Sequence, residues 1–238
     1  MEGLFCSDTL VKDVSGVILA GGESTRYGRN KALVDINGIP LIERVSRVMQ
    51  SLFQQVILIT NTPDEYSFLK LPMYEDLIKG LGPLGGLFTG LTRMPNDVGF
   101  FVGCDMPSLN KELIRHIVEI RDDSDVVVPR ISGMMEPLHA LYGKGCLPAI
   151  RKLIDSRKYQ IFRFFSEVSV KYVDEDLIRR FDPEIRCFYN INEPQQFSKG
   201  LFHCFAVTHN DSINYVFQTF AKFGINPIMH GGRLNEVE

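Results

Sequence analysis

No stretch of the sequence approaches the roughly 18 apolar residues of a membrane-spanning helix, so the chain is expected to have no membrane segment. Its five cysteines, Cys6, Cys104, Cys146, Cys187 and Cys204, are odd in number, widely spaced and free of any CxxC pair. That excludes a disulfide framework and a zinc ribbon and leaves reduced, mostly buried thiols. A charge excess is also missing: 26 Lys and Arg stand against 29 Asp and Glu, a net charge of −3. Neither nucleic acid nor an anionic membrane is an expected partner, and any phosphate recognition has to be local. The opening MEGLFCSDTLVKDVS lacks the basic region, apolar run and cleavage site of a secretory leader, so a cytoplasmic protein is expected. There is no repeat and no low-complexity segment.

What is present is material for a core. Hydrophobic residues make up 45% of the chain and charged ones 23%, with 17 Phe and 8 Tyr, a globular composition. At 238 residues the chain is about one and a half typical domains, which fits one large domain or one domain with an appendage. Short β-branched or aromatic runs, Val17 to Ala20, Val56 to Ile59, Phe100 to Val102 and Asp125 to Val128, have the length of strands buried on both faces. Between them Pro40 opens a segment with Leu41, Ile42, Val45, Val48, Met49 and Leu52 on one helix face. Asn110 is placed to cap a helix burying Leu113, Ile114, Ile117 and Val118. The alternation predicts an α/β fold with a mostly parallel sheet, helices on both faces and ligands at the carboxyl ends of the strands. Farther on, strands are expected at Leu138 to Tyr142, Val168 to Val173 and Arg186 to Ile191, as an antiparallel addition to the same sheet, with helices at Leu147 to Ile154 and Glu193 to Gly200. The last stretch reads as one more βα unit, with Asp211 as cap and Gly224 as stop.

The most informative segment is GVILAGGESTRYGRNKAL, residues 16–33. A buried strand runs into Gly21 and Gly22, followed by Arg26, Gly28 and Lys31. Consecutive glycines let backbone N–H groups approach an anion, and two nearby cations neutralise a polyphosphate. The bland alternative is a strand-to-helix turn with solvated charges. The loop is neither GxxxxGK[ST] nor GxGxxG, so it is not a Walker or dinucleotide loop.

LAGGESTRYGRNKAL at 19–33 resembles the LAGGxSxRMGxxKAL signature of the molybdenum cofactor guanylyltransferases, the MobA family. Gly82-Pro83-Leu84-Gly85-Gly86-Leu87, Cys104-Asp105-Met106-Pro107, Pro137-Leu138-His139-Ala140-Leu141-Tyr142 and Asn190-Ile191-Asn192-Glu193-Pro194 match in the same order. The resemblance covers about residues 15–200 and implies a three-layer, Rossmann-like nucleotidyltransferase fold. It divides the chain into an N-terminal extension 1–14, a nucleotidyltransferase domain 15–200 and a C-terminal βα extension 201–238 of unknown role. It also implies Mg²⁺ as cofactor, GTP and Mo-molybdopterin as substrates, transfer of GMP to the molybdopterin phosphate, and release of pyrophosphate. Molybdenum cofactor delivery or acceptor proteins are further expected partners, and a monomer or weak oligomer is the expected state.

The roles follow from residues and resemblance together. Asp105, at the end of the strand Phe100 to Val102, is a candidate Mg²⁺ ligand and nucleotide neighbour, against the alternative of a turn cap. Arg26 and Lys31 are candidate catalytic cations on the phosphates and the leaving pyrophosphate. The resemblance implies nucleotide contacts at Leu19, Ala20, Gly21, Gly22, Lys31, Asn61, Asp76, Gly82, Pro83 and Asp105. Gly82 to Gly86 fits a tight turn before a helix Leu87 to Met94. His139 is a candidate acceptor contact, with a hydrogen-bonded core histidine as the alternative. Asn190 and Asn192 are candidate acceptor contacts, with a turn cap as alternative. Cys104 lacks a sequence neighbour that would activate it and is read as buried packing. Two positions depart from the family pattern: Tyr27 replaces Met, and Asn30 replaces a common Asp. Alternatives left open are the sister cytidylyltransferase, a sugar-phosphate nucleotidyltransferase and a non-catalytic GTP- or cofactor-binding module.

Overall fold

The computed structural model describes residues 9–21 and 30–189. Strand β1 is Val11–Leu19, followed by a short hairpin of β2 Asp35–Ile36 and β3 Ile39–Pro40. Helix α1 Leu41–Leu52 leads directly into β4 Phe53–Ile59, and β5 is Met73–Tyr74. Next come α2 Pro83–Arg93, β6 Val98–Gly103, α3 Lys111–Glu119, β7 Val126–Ile131 and β8 Met134–Met135. The last elements are β9 His139–Gly143, α4 Leu147–Asp155, β10 Val170–Asp174 and α5 Glu175–Phe181. The main sheet runs β10-β7-β9-β6-β1-β4-β5, with β8 paired to β7.

Local chemistry accounts for most of these elements. In α1 the buried residues Leu41, Ile42, Val45, Met49 and Leu52 recur at helical spacing, so one stripe faces the sheet. Asn110 caps α3 by accepting a hydrogen bond from the Leu113 N–H at 2.9 Å, satisfying one of the orphan donors of the first turn. Along β1 the alternation of strand side chains divides the core. Val14 and Ile18 join α1, α3 and α5 residues on one face. Val17 and Leu19 join Leu84, Leu87 and Leu91 of α2 and Ile150 of α4 on the other. Each fully buried Leu or Ile contributes about 1.5–3 kcal/mol relative to exposure, so both faces hold the sheet between helices. Close helix-to-sheet approach requires Gly90, where a Cβ would sit 2.5 Å from Phe101 Cε1 and 2.9 Å from Val17 Cγ1.

Strands β1, β4, β5, β6, β7 and β10 are mutually parallel through β1–β4, β4–β5, β1–β6 and β7–β10, with β9 antiparallel to β6 and to β7. The expected antiparallel addition is therefore right for β9 and wrong for β10, which pairs parallel to β7. The strand expected at Arg186 to Ile191 is a 3-10 turn at Arg186–Phe188, in which Cys187 N–H donates to Asp182 Oδ2 at 2.8 Å. The rest of that expected strand, the helix Glu193 to Gly200 and the βα extension lie outside the described residues. Among the described residues no helix is long and apolar enough to cross a membrane.

Candidate active site

The carboxyl ends of the parallel strands share one edge, and the expected site residues gather along it. Ala20 N–H donates to the Ile59 carbonyl at 2.8 Å and Cys104 N–H to the Leu19 carbonyl at 3.1 Å, fastening the end of β1 between β4 and β6. Gly21 is exposed just beyond, and a Cβ there would lie 3.9 Å from Asp76 Oδ2. Asp76 is held by Asn61 through a reciprocal pair: Asn61 Nδ2 donates to Asp76 Oδ2 at 2.8 Å, and Asp76 N–H donates to Asn61 Oδ1 at 3.1 Å. The pairing of Thr60 N–H with the Tyr74 carbonyl at 2.9 Å sets those two loops side by side.

Gly82 and Pro83 begin α2 and do not form a turn ahead of it. Gly82 is the N-cap at φ +57°, where glycine carries little strain, and Pro83 takes the first helical turn. Gly85 and Gly86 are consequently helical and buried. A Cβ at Gly85 would be 3.1 Å from the Ile78 carbonyl oxygen, and one at Gly86 would be 3.3 Å from Leu19 Cδ2, so both glycines let the helix lie close to the site edge. The expected turn is corrected to a helix start, whose first exposed residues, Gly82 and Pro83, open toward solvent.

Lys31 begins the 3-10 segment Lys31–Leu33, and its charge acts on both Cys104 and Asp105. Asp105 is half-buried after β6; burial raises its carboxyl above the ordinary carboxylate range, and Lys31 pulls it back down. The Cys104 thiol is pushed far up by burial, with the Asp105 charge adding to the effect, so it rests as a thiol packed against the core. Nucleophilic catalysis by Cys104 has no support in this environment.

The residue before Lys31 carries a network the sequence did not signal. Asn30 Nδ2 donates to Glu65 Oε2 at 2.5 Å and to Tyr66 Oη at 2.7 Å, while Asn30 Oδ1 accepts from Ala32 N–H at 3.1 Å. Tyr66 is buried, and burial pushes its hydroxyl up to about 12. The Asn30 amide thus ties the returning loop to the segment Pro63–Leu69, and this is the position where the family pattern commonly has Asp.

His139 is fully buried, edge-on to Phe100 at 5.3 Å and beside Phe188 at 4.7 Å between ring centroids. Neither ring nitrogen has a hydrogen-bond partner, and burial lowers its basicity to a pKa of about 3. It is neutral, with no surface facing the edge. Gly22, Arg26, Asn190 and Asn192 lie outside the described residues.

Among the described residues no group of three or more His, Cys, Asp or Glu side chains is arranged to hold a metal. A lone half-buried carboxylate facing a lysine is nevertheless compatible with Mg²⁺, which binds through one or two carboxylates and fills its shell with water and phosphate oxygens.

A strand-end glycine, a paired Asn and Asp, a lysine and an Asp lie along one sheet edge, and comparison with known proteins gives the chain its family. The MobA-like NTP transferase domain matches residues 16–172. The chain belongs to that family. The probable molybdenum cofactor guanylyltransferase of Carboxydothermus hydrogenoformans is 34% identical over 191 residues, 80% of this chain and 96% of the relative. The molybdenum cofactor guanylyltransferase of Desulfosudis oleivorans is 34% identical over 189 residues, 79% of this chain and 94% of the relative. The crystal structure of molybdopterin-guanine dinucleotide biosynthesis protein A from Archaeoglobus fulgidus aligns with TM-score 0.68 at 24% identity, over 78% of this chain and 96% of that one. The 4-diphosphocytidyl-2C-methyl-D-erythritol synthase of Anaerococcus prevotii aligns at 0.56 and 15% identity, over 79% and 95%. These two likenesses concern the fold, and they establish the three-layer nucleotidyltransferase architecture of this NTP transferase.

Proposed function

We propose that this NTP transferase is a molybdenum cofactor guanylyltransferase, moving GMP from GTP to the terminal phosphate of Mo-molybdopterin and releasing pyrophosphate. The observation that carries the reading is the convergence of Lys31, Asp105 and the Asn61–Asp76 pair on one strand edge, in a chain about a third identical to guanylyltransferases along most of its length.

The chemistry asks little covalent work of the protein. An oxygen of the acceptor phosphate attacks the α-phosphorus of GTP as the bond to the bridging oxygen breaks, so the new P–O bond replaces the old one and pyrophosphate leaves in line. Catalysis then consists of alignment and charge neutralisation. Leu19, Ala20, Gly21 and Gly22 offer backbone to the nucleotide, Asn61, Asp76, Gly82 and Pro83 bound its other side, and Arg26 with Lys31 takes the charge of the departing pyrophosphate. Asp105 would hold Mg²⁺, which would supply Lewis-acid compensation of the phosphate charge. Asn190 and Asn192 are assigned to the acceptor by their NxNxP pattern. The enzyme is proposed to work in the cytoplasm as a monomer or weak oligomer and to hand its product to cofactor delivery or acceptor proteins, with 1–14 and 201–238 as extensions of the catalytic domain.

The test is radiolabelled transfer with Mg²⁺ and molybdenum-loaded molybdopterin, comparing GTP, CTP and ATP. GTP-selective labelled product is expected. A CTP preference moves the chain to the sister activity, and tight GTP binding with no product overturns the enzymatic reading.

A further inference from the structure

Glu136 stands immediately before the Pro137 to Tyr142 motif, and its surroundings are unusual for a structural carboxylate. The backbone of this turn is fastened at every step. Glu136 N–H donates to the Pro129 carbonyl at 3.0 Å, His139 N–H to the Glu136 carbonyl at 3.1 Å, and Gly103 N–H to the Leu138 carbonyl at 3.1 Å. Tyr142 Oη donates to the Pro137 carbonyl at 2.7 Å. Tyr142, in turn, is fully buried between Phe101, Phe164 and Phe165. The turn is therefore rigid before any ligand arrives.

Its side chain is the exception. The Glu136 carboxylate is half-buried, and no hydrogen bond or ion pair from the described residues reaches it. Burial lifts it to about 7, and no donor or cation opposes that rise. No donor among the described residues meets the carboxylate, and its oxygens are open to an incoming molecule, so it is placed to accept hydrogen bonds from a ligand that brings N–H groups.

Position narrows the ligand. The Gly103 to Leu138 hydrogen bond sets the turn beside the strand end that leads into Asp105, and neighbouring strands are about 4.8 Å apart. Glu136 thus lies on the β9–β7 side of Asp105, opposite the Asn61–Asp76 pair on the β4–β5 side. With the nucleotide assigned to the Asn61–Asp76 side, the β9–β7 side of Asp105 is the one left for the acceptor. A carboxylate there repels the acceptor's phosphate and attracts the donor edge of its heteroaromatic head.

We infer that Glu136 is the specificity residue for the acceptor, its carboxylate receiving two parallel hydrogen bonds from the amide N–H and exocyclic amine of a pterin's aminopyrimidinone edge. This rests on the guanylyltransferase reading, and the two fail separately.

The experiment compares the full-length wild type with Glu136→Gln and Glu136→Asp, each checked by thermal unfolding. Steady-state transfer is measured with GTP and Mo-molybdopterin varied in turn, and 6-hydroxymethylpterin is titrated by its own fluorescence as a probe of head binding without turnover. Glu136→Gln is expected to raise the acceptor KM about 10- to 100-fold, the loss typical of a charge-assisted bidentate contact, with the GTP KM and kcat within about two-fold. Pterin binding to Glu136→Gln should weaken in parallel, and Glu136→Asp should recover part of both. An unchanged acceptor KM and pterin affinity overturn the assignment, as does a rise confined to the GTP KM, which would move the contact to the guanine base. Wild-type protein that binds pterin through Glu136 yet transfers no GMP would instead overturn the guanylyltransferase reading and leave the pterin contact standing.

Discussion

The two halves of the site edge treat polar side chains in opposite ways. Over β4 and β5, Asn61 and Asp76 exchange two hydrogen bonds and leave neither backbone nor side chain adrift. Over β9 and β7, Glu136 is half-buried and His139 fully buried, and neither the carboxylate nor the ring nitrogens have a partner among the described residues. The first half is set before substrate binds, because each group already has its protein partner. In the second, the His139 ring carries a desolvation cost that tight packing offsets, and the Glu136 carboxylate stays open to a ligand. On the proposed function, the β4–β5 half is organised for the nucleotide and Glu136 in the β9–β7 half for the acceptor, while His139 is sealed in the core.

The largest effect that would break this comparison lies between the halves, at Asp105. Asp105→Asn should lower turnover by at least about 100-fold, as loss of a central electrostatic group does. Because burial raises the native carboxyl, the neutral amide should leave the melting temperature unchanged or higher. Pyrophosphate release and thermal unfolding measured on one preparation decide it, and a stable variant with wild-type turnover would refute the role. Asp76→Ala should come next, raising the GTP KM about 10-fold by freeing the Asn61 amide while sparing the acceptor KM. An equal rise in both KM values would erase the distinction between the halves.

Smaller effects sharpen it through stability. The folded pKa of Glu136, about 7, lies above its ordinary 4.5. The folded state therefore holds a proton between those values that the unfolded state has released, and stability falls as pH rises from about 4.5 to about 7. Glu136→Gln should match the wild type near pH 5 and exceed it by about 2 kcal/mol near pH 8, read from urea unfolding at both pH values. A constant difference would mean the carboxylate has found a partner. Asn30→Asp sets a carboxylate against Glu65 and should cost about 1 kcal/mol, recovered by adding Glu65→Gln. A double-mutant cycle without coupling would show that this network does not hold the loop return.

Much of the architecture was legible in the chain because its causes are local. The period of Leu41 to Leu52, the cap at Asn110 and the buried run Phe100 to Val102 each state their own secondary structure. Asp105 was legible as a candidate site residue because the carboxyl end of a buried parallel strand delivers it to the ligand edge. Gly82 to Gly86 misled because Gly followed by Pro opens a turn and a helix alike, and only the packing of Gly85 and Gly86 on Ile78 and Leu19 separates them. Cys187 and Phe188 suggested a strand because they are apolar and adjacent, whereas they are buried by a short 3-10 turn. Glu136 and the Asn30–Tyr66–Glu65 network gave no signal, since a carboxylate's lack of partners and an amide's choice of them are properties of space.

The sequence by itself determined the alternation of strands and helices, the two-faced core and the glycine, lysine and aspartate positions of the candidate edge, because periodicity and turn chemistry act over a few residues. Only the tertiary structure decided that β10 runs parallel to β7, that α2 starts at Pro83, that His139 is sealed beneath Phe100 and Phe188, and that Glu136 meets no partner among the described residues. Strand partnership, burial and hydrogen-bond satisfaction depend on which distant segments meet, and that is settled by packing.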